Sequence, residues 1–206
     1  MIITISRETG SGGHTIGKML AEKLGYDFYD KELISLAAKE MHIDEETVAE
    51  NEETMSDKTY IDMASGFIPF SRKSKVPLDR IQETQTKLIQ SIAEKGNCVI
   101  VGRRADYILS KRKDALHIFI HADIEYRVNR VQRHEGISGE EKRIKRELEV
   151  KDRSRGMLYQ FFTGREWGRV ANYNISIDTG IFTKEQTVEL ILSAVEKYNE
   201  GENNNA

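Results

Sequence analysis

Apolar residues follow two alternating rhythms along this chain. Short, nearly continuous apolar runs over 2–6, 26–29, 98–101, 115–120 and 173–177 have the length and β-branched content of buried strands. Between them apolar positions recur at helical spacing. The sets are Ile16, Met19, Leu20 and Leu24; Leu33, Ile34, Ala37, Ala38 and Met41; Leu78, Ile81, Gln85, Leu88, Ile89 and Ile92; Ile124, Val128 and Val131; Ile144 and Leu148; and Val188, Ile191, Val195 and Tyr198. Gly25 and Gly96 stop two of these helices, and a short helix is expected through Tyr107, Ile108 and Leu109. Asp30 and Asp123 stand where helix N-caps are expected, while Ser138 with Glu141 and Thr183 with Gln186 have capping-box spacing. Strands that alternate with helices predict an α/β protein: a parallel sheet of about five strands covered by helices on both faces.

Residues 42–77 break the rhythm. Seven acidic and no basic side chains fall between 44 and 57, followed by a stretch rich in Ser, Lys and aromatic residues that holds both prolines, Pro69 and Pro77. This reads as a helical insertion with a mobile loop inside one domain over 1–200, and 201–206 reads as a disordered tail. At 206 residues no second core is required.

Charge and cysteine content narrow the function classes. The net charge of -3 argues against a general nucleic-acid binder. The stretch 127–155 nevertheless carries ten Arg or Lys against six acids, enough to meet phosphate locally. Cys98 is the only cysteine, so no intrachain disulfide or cysteine zinc cluster can form, and its place in Cys98-Val99-Ile100-Val101 predicts a buried, inert thiol. The chain opens on a strand rather than on a basic and then apolar leader, and no apolar run approaches a membrane span. A cytoplasmic protein with no membrane or nucleic-acid partner is expected, and a homo-oligomer is compatible with the sequence.

The candidate chemistry begins at Gly10-Ser11-Gly12-Gly13-His14-Thr15, between the first strand and the first helix. Its glycines allow positive φ and close approach of main-chain N–H groups to an anion, and the following helix adds its free N–H groups and positive dipole end. A Walker A loop would carry Lys where this chain has Gly13. Lys18 is a poor substitute, because five residues along a helix moves it about 140° round the axis and about 7.5 Å away. Arg7 and His14 are nearer. In a parallel sheet ligands bind beyond the C-terminal strand ends. That rule brings the glycine loop together with Asp30 after the second strand and Gly102-Arg103-Arg104 after the third. Arginines at such an edge suit phosphate, since the guanidinium stays charged and binds in a bidentate fork. For Asp30 two roles stand side by side, contact with an acceptor or capping of a helix, and capping is the stronger physical claim. Arg127, Arg130 and Arg133, three apart on a helix, read equally as phosphate ligands or as a solvated face. Trp167, Phe161 and Phe162 default to packing, in the core, under a lid or at a subunit contact.

The ordered motifs, Ile5-Ser6-Arg7-Glu8 with the glycine loop through Gly17, Phe28-Tyr29-Asp30-Lys31-Glu32-Leu33, Val101-Gly102-Arg103-Arg104, Asp152-Arg153-Ser154-Arg155, 161–168 and 173–179, resemble the nucleoside monophosphate kinases. The resemblance is greatest to the cytidylate kinase-like family. It implies a P-loop kinase fold with 42–77 as nucleotide-binding insertion and about 134–168 as lid. It implies ATP and Mg²⁺ on the loop, with the Thr15 hydroxyl near the metal directly or through water, and a nucleotide or related small acceptor, CMP or dCMP first. Arg103 would hold the acceptor phosphate. Arg153 and Arg155 would reach the transferring phosphate from the lid, with Asp152 orienting them. Two positions depart from the kinases, Gly13 for the loop lysine and Arg104 for an Asp, and the first leaves open a second reading, a nucleotide- or phosphate-binding regulatory protein.

Overall fold

The computed structural model describes residues 1–53, 65, 77–134 and 139–204. Five parallel strands form one sheet in the order β2-β3-β1-β4-β5: β1 Ile2–Arg7, β2 Asp27–Tyr29, β3 Cys98–Val101, β4 Ala115–His121 and β5 Ile175–Asp178. β1 sits at the centre, with Ile2 to Ile5 in register with Cys98 to Val101 on one side and Ile2 to Arg7 with Ala115 to Ile120 on the other. Both faces of β1 are buried, which is why its apolar run is continuous rather than alternating. One face packs on α1 (Gly13–Leu24) and α8 (Lys184–Asn204) through Ile3, Ile5, Ile16, Leu20, Val188 and Ile191. The other packs on α2 (Glu32–Met41), α4 (Leu78–Lys95) and the short α5 (Ala105–Ile108) through Ile2, Leu33, Ile89, Ile92 and Ile100. The central strand's neighbours in space are thus the third and fourth strands in sequence, and the reversal of winding direction falls at the C-terminal end of β1.

Local signals behave as their chemistry requires, with a few informative exceptions. Gly25 ends α1 in the left-handed region at φ 66°, and Thr183 and Gln186 exchange both hydrogen bonds of a capping box, at 3.0 and 3.2 Å. Asp30, by contrast, does not cap α2: Lys31 occupies the cap position without a side-chain bond, and the Asp30 carboxylate turns elsewhere. The basic segment 151–155 lies in the middle of a helix, α7 (Glu141–Thr163), which runs on through Gly156 and ends only at Gly164, φ 68°. α8 runs to Asn204, four residues into the expected tail, with Lys197 and Glu200 paired at 2.7 Å on its last turns. Two further α-helices, α3 (Glu45–Glu53) within the stretch 42–77 and α6 (Ile124–His134) after β4, and a 3-10 turn over Val170–Asn172 complete the described elements. Residues 54–64 and 66–76 of the stretch 42–77 lie outside the described residues, as does Ser138; α7 starts from Glu140 in the cap position, without a side-chain bond, rather than from the expected Ser138–Glu141 capping box.

Candidate functional site

Beyond the C-terminal edge of β1 lies a cavity of about 690 Å³. Its floor is the glycine loop. Gly10 and Gly12 hold φ 83° and 91°, conformations costly to any residue with a Cβ, and they turn the chain so that α1 starts at Gly13 with its first-turn N–H groups pointing outward. Gly10, Gly12, Gly13, His14 and Thr15 line the cavity; Ser11 does not. Ser11 is buried beneath, its hydroxyl donating to the Glu8 carbonyl at 2.9 Å and within 3.2 Å of the Ile120 carbonyl. It pins the loop to the strand edge rather than facing a ligand.

The loop is braced from α6 and α7. Asp152 accepts the Thr9 amide N–H at 2.7 Å, the Thr9 hydroxyl at 2.6 Å and an Arg127 N–H at 2.6 Å. Arg127, its side chain 9% exposed, also donates to the Ala122 and Thr9 carbonyls, so it is a buried brace and not a phosphate ligand. Arg130, one turn on, lines the cavity, with guanidinium contacts to the Gly10 carbonyl and the Thr15 hydroxyl, each at 3.4 Å. Arg133 is exposed. Of three arginines that spacing alone could not separate, the helix turns one inward, one over the loop and one to water.

Arg155 lines the cavity and donates to the Thr9 hydroxyl at 2.7 Å and the Arg7 carbonyl at 3.3 Å. Arg153, expected beside it, is not brought there: two residues along α7 rotates it about 200° from Arg155, and it is exposed away from the cavity wall, which Lys151 joins instead. Lys18 is exposed outside the cavity as its helix position requires.

The opposite wall is built from the ends of β2 and β3. Gly102, Arg103 and Arg104 hold φ 79°, 57° and 54° in succession, and the two arginines carry a left-handed cost of about 1–2 kcal/mol each. The turn is held by the Gly102 N–H to the Ile5 carbonyl at 2.8 Å and by α5 starting at once behind it. Both arginines line the cavity. Burial, with repulsion from Arg7 next, pulls the Arg103 guanidinium down to about 9, and burial takes Arg104 to about 10. Arg104 also lies 5.1 Å over the Phe162 ring. Asp30 reaches the cavity too, but its carboxylate is taken: Arg7 at 3.2 Å on one oxygen, His14 Nδ1 at 2.6 Å on the other. Trp167 closes one side of the cavity and rests edge-on against Phe119 at 5.5 Å.

Gln82 was not singled out by sequence reasoning. It is 4% exposed and lines the cavity from α4, and neither its amide nitrogen nor its amide oxygen has a hydrogen-bond partner. A glutamine at an otherwise apolar helical position was the available signal.

Strand order and glycine loop together define a P-loop kinase fold: a parallel sheet in this order with a glycine loop leading from its central strand into a helix. The solved shikimate kinase from Bacteroides thetaiotaomicron has the same fold, with TM-score 0.53 at 13% identity over 95% of this chain and 98% of that one. The chain belongs to the cytidylate kinase-like family, whose model matches residues 2–181. It is 28% identical over 196 residues to the cytidylate kinase of Methanosarcina mazei, covering 95% of this chain and 97% of the relative. A solved, uncharacterized protein from Eubacterium ventriosum is similar at 27% identity with TM-score 0.68, over 95% and 98% of the two chains. Phosphotransfer of the nucleoside monophosphate kinase type is the activity class of this family. No helix among the described residues is long and apolar enough to cross a membrane.

Proposed function

We propose that this protein transfers the terminal phosphoryl group of ATP to a nucleoside monophosphate, with CMP or dCMP as the first acceptors to test. The observation that carries the reading is the convergence on one cavity of the glycine loop with Arg7, Arg103, Arg104, Arg130 and Arg155, delivered from the ends of β1 and β3 and from α6 and α7. Phosphoryl transfer asks for alignment and for neutralisation of charge spread over the transferred group, and little else. The N–H groups of the loop and Arg130 bind the donor phosphates. Arg103 binds the acceptor phosphate and lowers its repulsion for the donor. Arg155, anchored through Thr9 to the loop, follows the charge that develops as an acceptor oxygen bonds to phosphorus and the bridging oxygen of ADP leaves. Gln82 adds a buried, unpartnered amide at the cavity wall, with N–H donors and a carbonyl acceptor that a base edge with complementary groups would satisfy on reaching it.

The donor set also fits Mg²⁺. Thr15 offers one hard hydroxyl oxygen at the loop, and among the described residues no three His, Cys, Asp or Glu gather into a metal cage. A cation bound chiefly by nucleotide phosphates and water needs no more than that. It would supply charge neutralisation across the transferred phosphate.

Turnover with ATP and a panel of CMP, dCMP, UMP, AMP and GMP, run beside calorimetric binding, tests the reading. Diphosphate product with at least one acceptor is expected. Gly13 favours the second reading, a regulatory nucleotide binder, and binding of ATP without product from any acceptor would establish that reading instead.

A further inference from the structure

Two positions of the phosphate loop have exchanged chemistry. In the pattern G-x-x-x-x-G-K-[ST] with Gly12 as the second glycine, the first glycine falls at Arg7, the lysine at Gly13 and the hydroxyl position at His14, one residue before Thr15. The structure shows that these substitutions belong together. The Arg7 side chain leaves the end of β1 and crosses Gly13 so closely that a Cβ built there would lie 2.6 Å from Arg7 Cβ and 2.8 Å from its Cγ. Since the first clash is with Cβ itself, no side chain, lysine included, fits at 13 in this backbone while residue 7 carries one. The path then passes over Gly102, where a Cβ would overlap Arg7 Nη1, and ends at Asp30. The Arg7 carbonyl accepts from Arg155. The cation is thereby placed between the glycine loop and the Gly102-Arg103 corner, the gap a phosphoryl group must cross. Asp30 engages one Nη at 3.2 Å, and the planar fork has five N–H donors in all.

Building on the kinase reading, we propose that Arg7 is the catalytic cation of this site in place of the loop lysine, contacting the terminal phosphate of ATP from the strand side, and that residue 13 is glycine because Arg7 lies across it. Asp30 is a positioning residue that holds the guanidinium in the gap.

The test moves the charge. Arg7→Ala is expected to lower kcat about 100-fold or more, the loss typical of one preorganised donor to a developing charge, and Arg7→Lys to recover part of it. Gly13→Lys alone is expected to be less stable and less active than wild type, since its side chain meets Arg7. The double variant Arg7→Gly/Gly13→Lys, which returns the charge to the loop, is expected to exceed Arg7→Gly at least tenfold. Asp30→Asn is expected to lower kcat while the KM for ATP stays within about twofold. A folded Arg7→Ala protein with kcat within threefold of wild type overturns the assignment, and a double variant no faster than Arg7→Gly overturns the exchange of charge between the two positions. ATP and ADP affinities by calorimetry separate this inference from the reading it builds on. If wild type binds ATP but phosphorylates no acceptor, the kinase reading fails, and a fall of tenfold or more in the ATP-over-ADP preference on Arg7→Ala still supports Arg7 as the terminal-phosphate ligand. An unchanged preference overturns it.

Discussion

The two walls of the cavity are finished to different degrees. On the donor side Asp152, Thr9 and Arg127 close a network in which Asp152 takes three hydrogen bonds of 2.6–2.7 Å, and Arg155 adds a fourth donor to the Thr9 hydroxyl. That wall is assembled before any ligand arrives. On the acceptor side two arginines stand in left-handed backbone at φ 57° and 54°, burial draws them down to about 9 and about 10, and Gln82 holds an orphaned amide. Each of these is unfavourable alone and, on the proposed reading, would be offset when an anion and a hydrogen-bonding base edge enter. The difference separates preorganisation, which lowers the barrier, from stored strain, which a ligand relieves. It follows that the donor wall should govern kcat and the acceptor wall should govern acceptor affinity together with the stability of the ligand-free protein.

The sharpest way to break that division is Arg155→Ala. The variant removes a cation from the cavity but leaves Asp152 bonded to Thr9 and Arg127, so the loop should stay in place. We expect kcat to fall about 100-fold or more with acceptor KM within a few-fold, measured by steady-state turnover. An effect confined to acceptor KM would merge the two walls into one. Arg103→Ala should do the reverse. Loss of a charge-assisted bond worth about 1.5–3 kcal/mol corresponds to a rise of about 10- to 100-fold in acceptor KM. The acceptor monophosphate, which stabilises wild type on binding, should raise the Tm of the variant far less. An Arg103→Ala protein that gains as much Tm from CMP as wild type does would remove Arg103 from the acceptor contact.

Much of this was legible in the sequence, and the reason it stopped where it did is geometric. The five strands, the glycine loop and the Gly102-Arg103-Arg104 corner could be read because each depends on a run of neighbours: burial on both faces, positive φ, a strand exit. The side chains that complete the site depend on helix phase instead. Arg127, Arg130 and Arg133 look alike in sequence, and only the packing of α6 through Val128 and Val131 makes the first a brace and the second a loop contact. Arg153 and Arg155 separate for the same reason once the segment proves to be mid-helix. Asp30 illustrates a competition: the cap position was available, but the Arg7 guanidinium and the His14 ring take its two carboxylate oxygens in place of main-chain N–H groups. The pairing of Arg7 with Gly13 lay out of reach because it is a matter of a few ångströms between residues six apart on opposite sides of a turn.

A smaller effect probes the strain on the acceptor wall directly. In Gln82→Leu a buried, unpartnered amide becomes an apolar side chain of similar size. Leaving such a group unsatisfied costs about 1–3 kcal/mol, and a change of 1 kcal/mol moves the Tm of a chain this long by about 2–4 °C. The ligand-free variant should therefore melt higher than wild type, while acceptor KM rises and ATP affinity holds. A merely structural glutamine would give the opposite sign in Tm. A rise in Tm with acceptor KM unchanged would leave the strain real but disconnect it from the acceptor.

The smallest expected effect serves as the reference for the others, because it lies in the sheet that both walls share. His117 on β4 is 8% exposed, with its Nδ1 2.8 Å from the Thr4 hydroxyl of β1. Burial, with a lesser contribution from Arg165 and opposed by Asp106, holds its pKa below the ordinary histidine value. The sign follows from linkage. Below about pH 6.5 the unfolded chain takes up a proton that the folded chain resists, so this histidine's contribution to stability is complete above that pH and declines as pH falls through it. Tm should therefore drop between pH 7 and 5.5, and His117→Gln should flatten that part of the curve. Since His117 bonds to the centre of the sheet and not to the cavity, the same titration should leave the ratio of acceptor to donor affinity unaltered. Equal Tm losses in wild type and variant would reassign the titration to another group. A shift in the affinity ratio that His117→Gln abolishes would show that the shared sheet transmits protonation to one wall more than the other, and the two walls could then no longer be treated as independent.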